Sequence, residues 1–244
     1  MTAVATAQVF DNGVIKQASE LACGDKVLLP PTDRNKDAIL DQLKPFFDKA
    51  EYVLEIGSGS GQHVYHFSKA YPNVVFQPTE YDVSLFKSIN AYTADLKSNN
   101  KVRTPIELNT TKLEHWYNVL SAGRQDRGQE DSEDGAYDLV IATNIFHITS
   151  WQVGSNLVHG AGHVLRSGGH FAVYGAFKKD GKFATESNEQ FDQTLRGRNA
   201  SWGVRDIEAI QKVAEEQSRM RLVKIENMPS NNYMLIFQKI DIEQ

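Results

Sequence analysis

The chain has 244 residues and a mass of 27.4 kDa, which gives room for one domain of ordinary size with a sizeable core. A net charge of −5 at pH 7 excludes the broadly basic surface that non-specific nucleic-acid binding needs, and no apolar run approaches the ~20 residues of a membrane span. The single cysteine, Cys23, cannot form an internal disulfide, which fits a reducing, cytoplasmic compartment. Met1 to Phe10 carries neither the basic start nor the apolar core of a secretory signal.

Residues 1–30 show little periodicity and read as an N-terminal extension. From Asp33, a candidate cap, the residues Ile39, Leu40, Leu43, Phe46 and Phe47 form the apolar stripe of a helix reaching residue 49, with Pro45 set to kink or end it. Arg34, Asn35 and Lys36 fall in its first turn, where the helix dipole disfavours cations. Arg34 and Asn35 are therefore either a solvated helix start or contacts to a ligand.

The most informative stretch is Tyr52 to His63. An apolar run interrupted by Glu55 enters Gly57, Gly59 and Gly61, and an amphipathic segment with Val64, Phe67, Ala70 and Tyr71 follows. This is strand, tight turn, helix N-terminus: the glycines allow a sharp turn and leave no Cβ in a ligand's way, and the free N–H groups favour an anionic group. A dinucleotide fingerprint requires G-x-G-x-x-G, whereas here Gln62 holds the place of the third glycine. An acidic residue, one apolar residue and G-x-G-x-G resembles motif I of the class I S-adenosylmethionine (SAM)-dependent methyltransferases. That resemblance implies SAM as cofactor, S-adenosylhomocysteine (SAH) as product, and Glu55, Gly57, Ser58, Gly59 and Gly61 as cofactor contacts.

A second strand, Asn73 to Gln77, leads to Glu80-Tyr81-Asp82, and Glu80 lies 23 positions after Gly57. A carboxylate there matches the two vicinal hydroxyls of a ribose. Glu80 is preferred over Asp82, which can cap the helix from Val83 to Leu96, and Tyr81 lies between them. A third strand, Pro105 to Leu108, ends at Asn109-Thr110-Thr111, where the side-chain oxygen of Asn109 can meet an adenine amine. Trp116, on the next amphipathic segment, is core or borders the adenine. Gly123 to Gly135 is polar and acidic and reads as a flexible loop.

Tyr137 to Thr143 is the clearest buried strand, and the loop Asn144-Ile145-Phe146-His147-Ile148 after it resembles motif IV of the same enzymes. Ligands of open α/β sheets sit beyond the carboxyl ends of the strands, which makes Asn144 a cofactor candidate and places His147 where chemistry occurs. His159 and His163, on a helix from Trp151 to Leu165, have metal-binding spacing but lack an adjacent Glu and a third ligand, so no metal is expected. Gly168 and Gly169 read as the end of that helix, followed by a strand from His170 to Tyr174. Helices at Glu189 to Arg196 and Val204 to Gln217, and strands at Arg221 to Glu226 and Tyr233 to Gln238, complete the chain. The fold class that follows is α/β: the class I methyltransferase (Rossmann-like) fold, a seven-stranded mostly parallel sheet with an antiparallel last strand and helices on both faces, in one domain over 1–244.

Taken together, Arg34-Asn35-Lys36, Leu54 to Gly59, Asn144 to Ile148, Tyr174 to Phe177, Ser187-Asn188 with Phe191-Asp192, Met228-Pro229 and Asn231-Asn232 resemble the methyltransferase-like protein 26 family from about Leu29 to Phe237. The resemblance implies SAM binding and names no substrate; Asn109 stands where Asp is usual. His147 is the candidate general base and Tyr174 the second candidate catalytic residue, with Asn188 orienting a substrate. Arg196, Arg198 and Arg205 are candidate clamps for an anion, more of them surface charges than ligands, and Phe146, Trp151, Phe177 and Trp202 are candidate walls of a small pocket. Tyr174 and Lys178 also form Y-x-x-x-K, the pair of short-chain dehydrogenases, but Gly175 follows Tyr174 at a strand end and the pair needs one helix face. The expected activity is methyl transfer to a small-molecule acceptor, with no membrane or nucleic-acid partner; a SAM- or SAH-binding sensor or adaptor, and a protein or RNA methyltransferase, are the alternatives. The acceptor atom, O, N or S, and the oligomeric state stay open.

Overall fold

The stretch ahead of the first long helix is more ordered than its weak periodicity suggests. In the computed structural model, which describes residues 8–11 and 14–240, β1 (Gln8–Asp11) and β2 (Val14–Gln17) pair antiparallel. The short strands β3 (Ala22–Cys23) and β4 (Lys26–Val27) do the same. The rest of the expected extension, 1–7 and 12–13, lies outside the described residues. Val27 and Leu85 are buried together under Leu21, Ala22 and Leu29. Val27 N–H donates to Ser88 Oγ at 2.9 Å and Leu29 N–H to Gln62 Oε1 at 2.5 Å, so the segment is tied down by apolar packing and by backbone donors that would otherwise be orphaned.

The helix expected to start at Asp33 begins three residues earlier. Pro30 and Pro31 fill the first positions of α1 (Pro30–Phe47), where no N–H is needed and proline's φ is already helical. Asp33 sits in the first turn, not at the cap, and Pro45 lies inside the last turn. Its buried face repeats every fourth residue, Asn35, Ile39, Leu43, Phe47, so one position of an otherwise apolar stripe is an amide. β5 (Tyr52–Ile56) runs into α2 (Gln62–Ala70), and Phe47 packs against Phe67, Tyr71 and Phe76 with ring centroids 4.9 to 5.8 Å apart. β6 (Val75–Glu80) pairs parallel with β5, Leu54 opposite Gln77 and Ile56 opposite Thr79. The helix expected over Val83 to Leu96 is a 3₁₀ turn at Val83–Leu85 followed by α3 (Phe86–Thr93). The third strand is split into β7 (Lys101–Val102) and β8 (Ile106–Glu107), pairing with the start and end of β6.

These elements form the first of two compact units, Met1–Asn109 and Thr110–Gln244. The second opens with α4 (Leu113–Arg127), which corrects the expected loop at 123–135. Gly123 is a buried residue of that helix: a Cβ there would stand 2.7 Å from Ala136 Cβ, so only glycine lets the helix close on the next strand. The helix ends at Gly128 in the left-handed conformation, and the loop proper is 129–135. Arg124 donates to Asp134 O at 2.8 Å, and the Asp134 carboxylate accepts from Ser167 N–H at 3.0 Å.

β9 (Tyr137–Thr143) is buried along nearly its whole length. α5 (Trp151–Val164), capped by Ser150, passes directly into β10 (Leu165–Gly175). The glycines at 168 and 169 are therefore not a helix end; they fall at an irregularity where the pairing register between β9 and β10 shifts. Trp116 is core, its indole filling the space a Cβ on Gly160 would need, at 2.1 Å. A short parallel pair joins β11 (Phe177–Lys178) and β12 (Arg205–Asp206), with α6 (Glu186–Arg198) between them in the chain. α7 (Ile207–Ser218) leads to β13 (Met220–Met228) and β14 (Asn232–Lys239), which pair antiparallel with each other, β14 also lying antiparallel to β10. The strand complement is that of the expected α/β fold: a mixed, mostly parallel seven-strand sheet with antiparallel last strands, β8 standing beside β6 off the main order. Among the described residues no helix is long and apolar enough to cross a membrane.

Candidate active site

In the first unit the turn between β5 and α2 is built by backbone conformations that L side chains rarely adopt. Gly57, Gly59 and Gly61 have φ of 67°, 55° and 92°. They serve different ends. A Cβ on Gly61 would lie 2.7 Å from Ile89 Cα, so this glycine lets α2 approach α3. A Cβ on Gly59 would meet only a methyl of Leu29, at 3.3 Å. Glu80, at the end of β6, holds the turn from below: Oε2 accepts from Gly59 N–H at 2.7 Å, and Oε1 accepts from Tyr81 and Asp82 N–H at 2.8 and 3.1 Å. Burial pushes the Glu80 pKa up, and these three amides oppose the rise. Asp82 is the cap of the following 3₁₀ turn, accepting from Ser84 N–H at 2.9 Å. Tyr81 is 67% exposed. Arg34 is exposed on α1, and Asn109 follows β8 half-buried.

Beneath the turn lies a buried polar group. Glu55 is 3% exposed, and its Oε2 and the Oγ of Ser58 have no hydrogen-bond partner among the described residues. Burial raises the Glu55 pKa to about 7, with the Ser58 hydroxyl opposing and the Glu80 charge adding to the rise. Its Oε1 stands 3.9 Å from Nδ1 of His63, whose Nε2 is 2.8 Å from Asn35 Oδ1. The structure therefore brings Asn35 and Glu55 together through His63, a residue the sequence reasoning gave no role. The available signal was its place four residues before Phe67, on whose ring it stacks at 5.4 Å. Gln62 and Leu29 were missed too: Gln62 Oε1 accepts from Ser60 Oγ at 2.9 Å as well as from Leu29 N–H.

In the second unit the loop after β9 is tightly held. Asn144 has φ 59°, and its N–H donates to Tyr174 O at 2.8 Å, joining the carboxyl ends of β9 and β10. His147 is buried against the ring of Phe191, its carbonyl accepts from Gly203 N–H at 3.0 Å, and its Nδ1 has no hydrogen-bond partner among the described residues. Burial, with the Arg205 charge in support, lowers the His147 pKa to about 4. Its imidazole is thus neutral near pH 7 and a weak base, not the near-neutral titrating group anticipated.

Most of the other candidates here bind neighbouring protein groups. Arg205 donates to the carbonyls of Phe146, Thr149 and Ser201 at 3.2, 2.6 and 2.6 Å. Arg196 pairs with Asp192 at 2.7 Å, while Asp192 also accepts from Val204 N–H. Tyr174 Oη accepts from Asn232 Nδ2 at 2.9 Å. Asn188 accepts from Thr185 Oγ1 at 2.9 Å and donates to Asn231 O at 3.2 Å. Thr110 donates to Val153 O at 3.3 Å. Trp151 opens α5 at 36% exposure and Trp202 is half-buried; Phe146 and Phe177 stack edge-on at 6.0 Å. Tyr174 and Lys178 lie on separate strands, with Lys178 paired to Asp206, which removes the dehydrogenase arrangement. His159 Nδ1 lies 3.1 Å from Gln217 O, and His163 meets Tyr117 edge-on.

Comparison with solved structures supports the same fold. An O-methyltransferase family protein from Burkholderia thailandensis matches with a TM-score of 0.61 at 15% identity, covering 86% of this chain and 60% of the other. Human N-acetylserotonin methyltransferase, solved in complex with SAM, matches with a TM-score of 0.64 at 10% identity over 86% and 53%. PigF, solved with SAH, matches with a TM-score of 0.58 at 13% identity over 86% and 66%. The chain thus spans less than two thirds of the length of these structures, and at such identities the likeness is one of fold. A family described as "Protein of unknown function (DUF938)" has a profile that matches residues 26–239, most of the chain, and this protein belongs to that family.

Proposed function

We propose that the protein is a SAM-dependent methyltransferase acting on a small molecule, in keeping with its resemblance to the methyltransferase-like protein 26 family. The observation that carries this reading is a pair of buried oxygens, Glu55 Oε2 and Ser58 Oγ, with no hydrogen-bond partner among the described residues, beneath the turn made by Gly57 and Gly59. An acceptor and a hydroxyl left without partners at this depth cost about 1–3 kcal/mol each, so the site is built to receive polar groups from a ligand. The amino-acid end of SAM fits it: an ammonium for the Glu55 carboxylate and a carboxylate for the Ser58 hydroxyl. Glu80 keeps lone-pair capacity for ribose hydroxyls while holding the turn, and Asn109 offers an acceptor for an adenine amine. Structures with the same fold were solved with SAM and with SAH.

SAM supplies an electrophilic methyl group on a positively charged sulfur. This chain's part is then to hold the acceptor, exclude water and take a proton. His147 is the residue for the last task, because its buried Nδ1 is neutral and has no hydrogen-bond partner among the described residues. A conjugate acid this strong suits an acceptor whose own proton is acidic, such as a phenol or enol, better than an aliphatic alcohol. Tyr174, oriented by Asn232, and Asn188, set between Thr185 and Asn231, give the second unit fixed polar groups for the acceptor. The preference for a small acceptor rests on the net charge of −5, which provides no general nucleic-acid surface.

Isothermal titration with SAM, SAH and NAD tests this reading. Micromolar binding of the first two and none of NAD is expected. Absence of SAM and SAH binding would remove the cofactor and the activity together.

A further inference from the structure

His63 lies just after the glycine turn, in the first turn of α2. Its ring is 5% exposed, stacked on Phe67, with Nε2 2.8 Å from the side-chain amide oxygen Oδ1 of Asn35. A carbonyl accepts only, so Nε2 carries the proton. The other nitrogen, Nδ1, then presents a lone pair toward Glu55 Oε1 at 3.9 Å. A lone pair facing an ionised carboxylate repels it, and both lie where water cannot screen them. A proton on Glu55 turns the repulsion into an O–H···N attraction. Asn35 occupies the one polar position on the buried stripe of α1, and its Oδ1, placed against Nε2, makes that nitrogen the donor.

From this geometry we infer that His63, oriented by Asn35, is a positioning residue that keeps Glu55 protonated in the ligand-free protein, so that the cradle takes up a cationic ammonium with release of a proton. This inference rests on the SAM reading given above. The balance is simple: the Glu55 carboxylic acid loses H⁺ to solvent, and its carboxylate pairs with the incoming ammonium at Oε2, which has no hydrogen-bond partner among the described residues. The surrounding charges agree. Burial raises the Glu55 pKa to about 7, the Ser58 hydroxyl opposing, and Glu80, the acidic neighbour on β6, adds a like charge that favours the neutral acid. His63 is itself held neutral, its pKa lowered to about 3 by burial and then by His66 and Lys36, so no imidazolium stabilises a Glu55 anion. On the α1 side Asp37 pairs with His66 and Lys36 with Asp33, which leaves Asn35 as the group of α1 that touches His63. The arrangement makes the cradle selective for a protonated amine, and it penalises an empty or anion-filled site above neutral pH.

Calorimetric titration of the full chain with SAM in buffers of differing ionisation enthalpy reads the proton count directly. At pH 6, below the α-amino range of about 7.7–8.0, the ligand amine is fully protonated. Binding should then release close to one proton, and the affinity should rise about eightfold from pH 5.5 to 6.5. The Glu55→Gln variant should bind about tenfold more weakly at pH 7 and release none. His63→Gln replaces the lone pair with a side chain that can donate, and should lower the pH at which Glu55 titrates. Carboxyl ¹³C resonances of the ligand-free protein report that shift without any ligand and also report whether the variant is folded. SAM binding with no proton release, or the same release in Glu55→Gln, overturns the inference and leaves the SAM reading intact. A Glu55 resonance that titrates alike in wild type and folded His63→Gln removes the role of His63. Failure of SAM to bind at all overturns both.

Discussion

The two clusters of candidate residues differ in how far the protein has satisfied them. Beneath the glycine turn of the first unit, a carboxylate oxygen and a hydroxyl are buried with no partner among the described residues, although Gly59 N–H and Ser60 Oγ beside them are hydrogen-bonded. In the second unit Arg196, Arg205, Asn188 and Tyr174 all have protein partners, and among its described residues the orphaned side-chain atoms include His147 Nδ1 and Thr143 Oγ1. The first cluster has the character of a ligand site, since buried polar groups in native structures are normally paired. The second has the character of a frame whose polar side chains are mostly spent on one another. Arginines that appear in the sequence as candidate clamps are staples: Arg205 closes the loop at 146–149 onto Ser201, and Arg196 braces Asp192.

This contrast can be broken most strongly at His147. The His147→Ala variant should lose about a hundredfold or more in turnover while its SAM affinity stays within about twofold, as measured by methyl transfer beside calorimetry. Unchanged turnover would make the second cluster purely structural. Next in size is Gly61→Ala, which should destabilise the protein by about 4 kcal/mol in urea unfolding, from overpacking against Ile89 Cα and from a left-handed φ of 92°. Gly59→Ala should cost less, about 1–2 kcal/mol from its left-handed φ of 55°, because its Cβ meets only the movable Leu29 methyl.

Glu55→Gln should stabilise the ligand-free protein at pH 7.5 by up to about 3 kcal/mol. The Glu55 pKa is raised to about 7 in the folded state, above its ordinary 4.5. Unfolding therefore releases a proton between these values, and the wild type loses stability as pH rises through them; glutamine has no proton to lose. His147 acts in the opposite direction. Its folded pKa of about 4 lies below the ordinary 6.5, so the stability it allows is present above pH 6.5 and declines as pH falls toward 4. Urea midpoints of wild type and His147→Gln should converge or cross over that window. The smallest effect is expected at Ser230→Gly: Ser230 has φ 60°, and glycine should relieve strain of about 1 kcal/mol in the turn beside Asn231 and Asn232.

The parts of this molecule that can be read from sequence are those where one residue type carries the physical constraint. Alternate glycines specify the turn after β5, and an unbroken apolar run specifies β9, because both faces of a central strand are buried. Boundaries failed where a second signal competed. Asp33 is a good cap residue, but Pro30 and Pro31 had already set helical φ upstream. Residues 123–127 look like loop because Arg124, Gln125 and Asp126 are polar, yet they continue a helix whose inner face is Leu120 and Gly123. Gly168 suggests a helix end, but the helix stops at Val164 and a strand begins at once.

Of the candidate site, the placement of Glu55 and Glu80 near strand ends was legible, because an apolar run entering a turn marks a strand's carboxyl end. The contacts of His63 and Asn232 were not. Each acts on a residue far away in sequence, and only the fold brings His63 to Asn35 and Asn232 to Tyr174.

If the turn of the first unit holds SAM, its amides are shielded when the ligand is bound, and amide hydrogen exchange with and without saturating SAM reads this at each residue. Slowed exchange concentrated at 57–61 and at the amides after Glu80 is predicted. An exchange pattern unchanged by SAM in both segments, or protection confined to other parts of the chain, would contradict it.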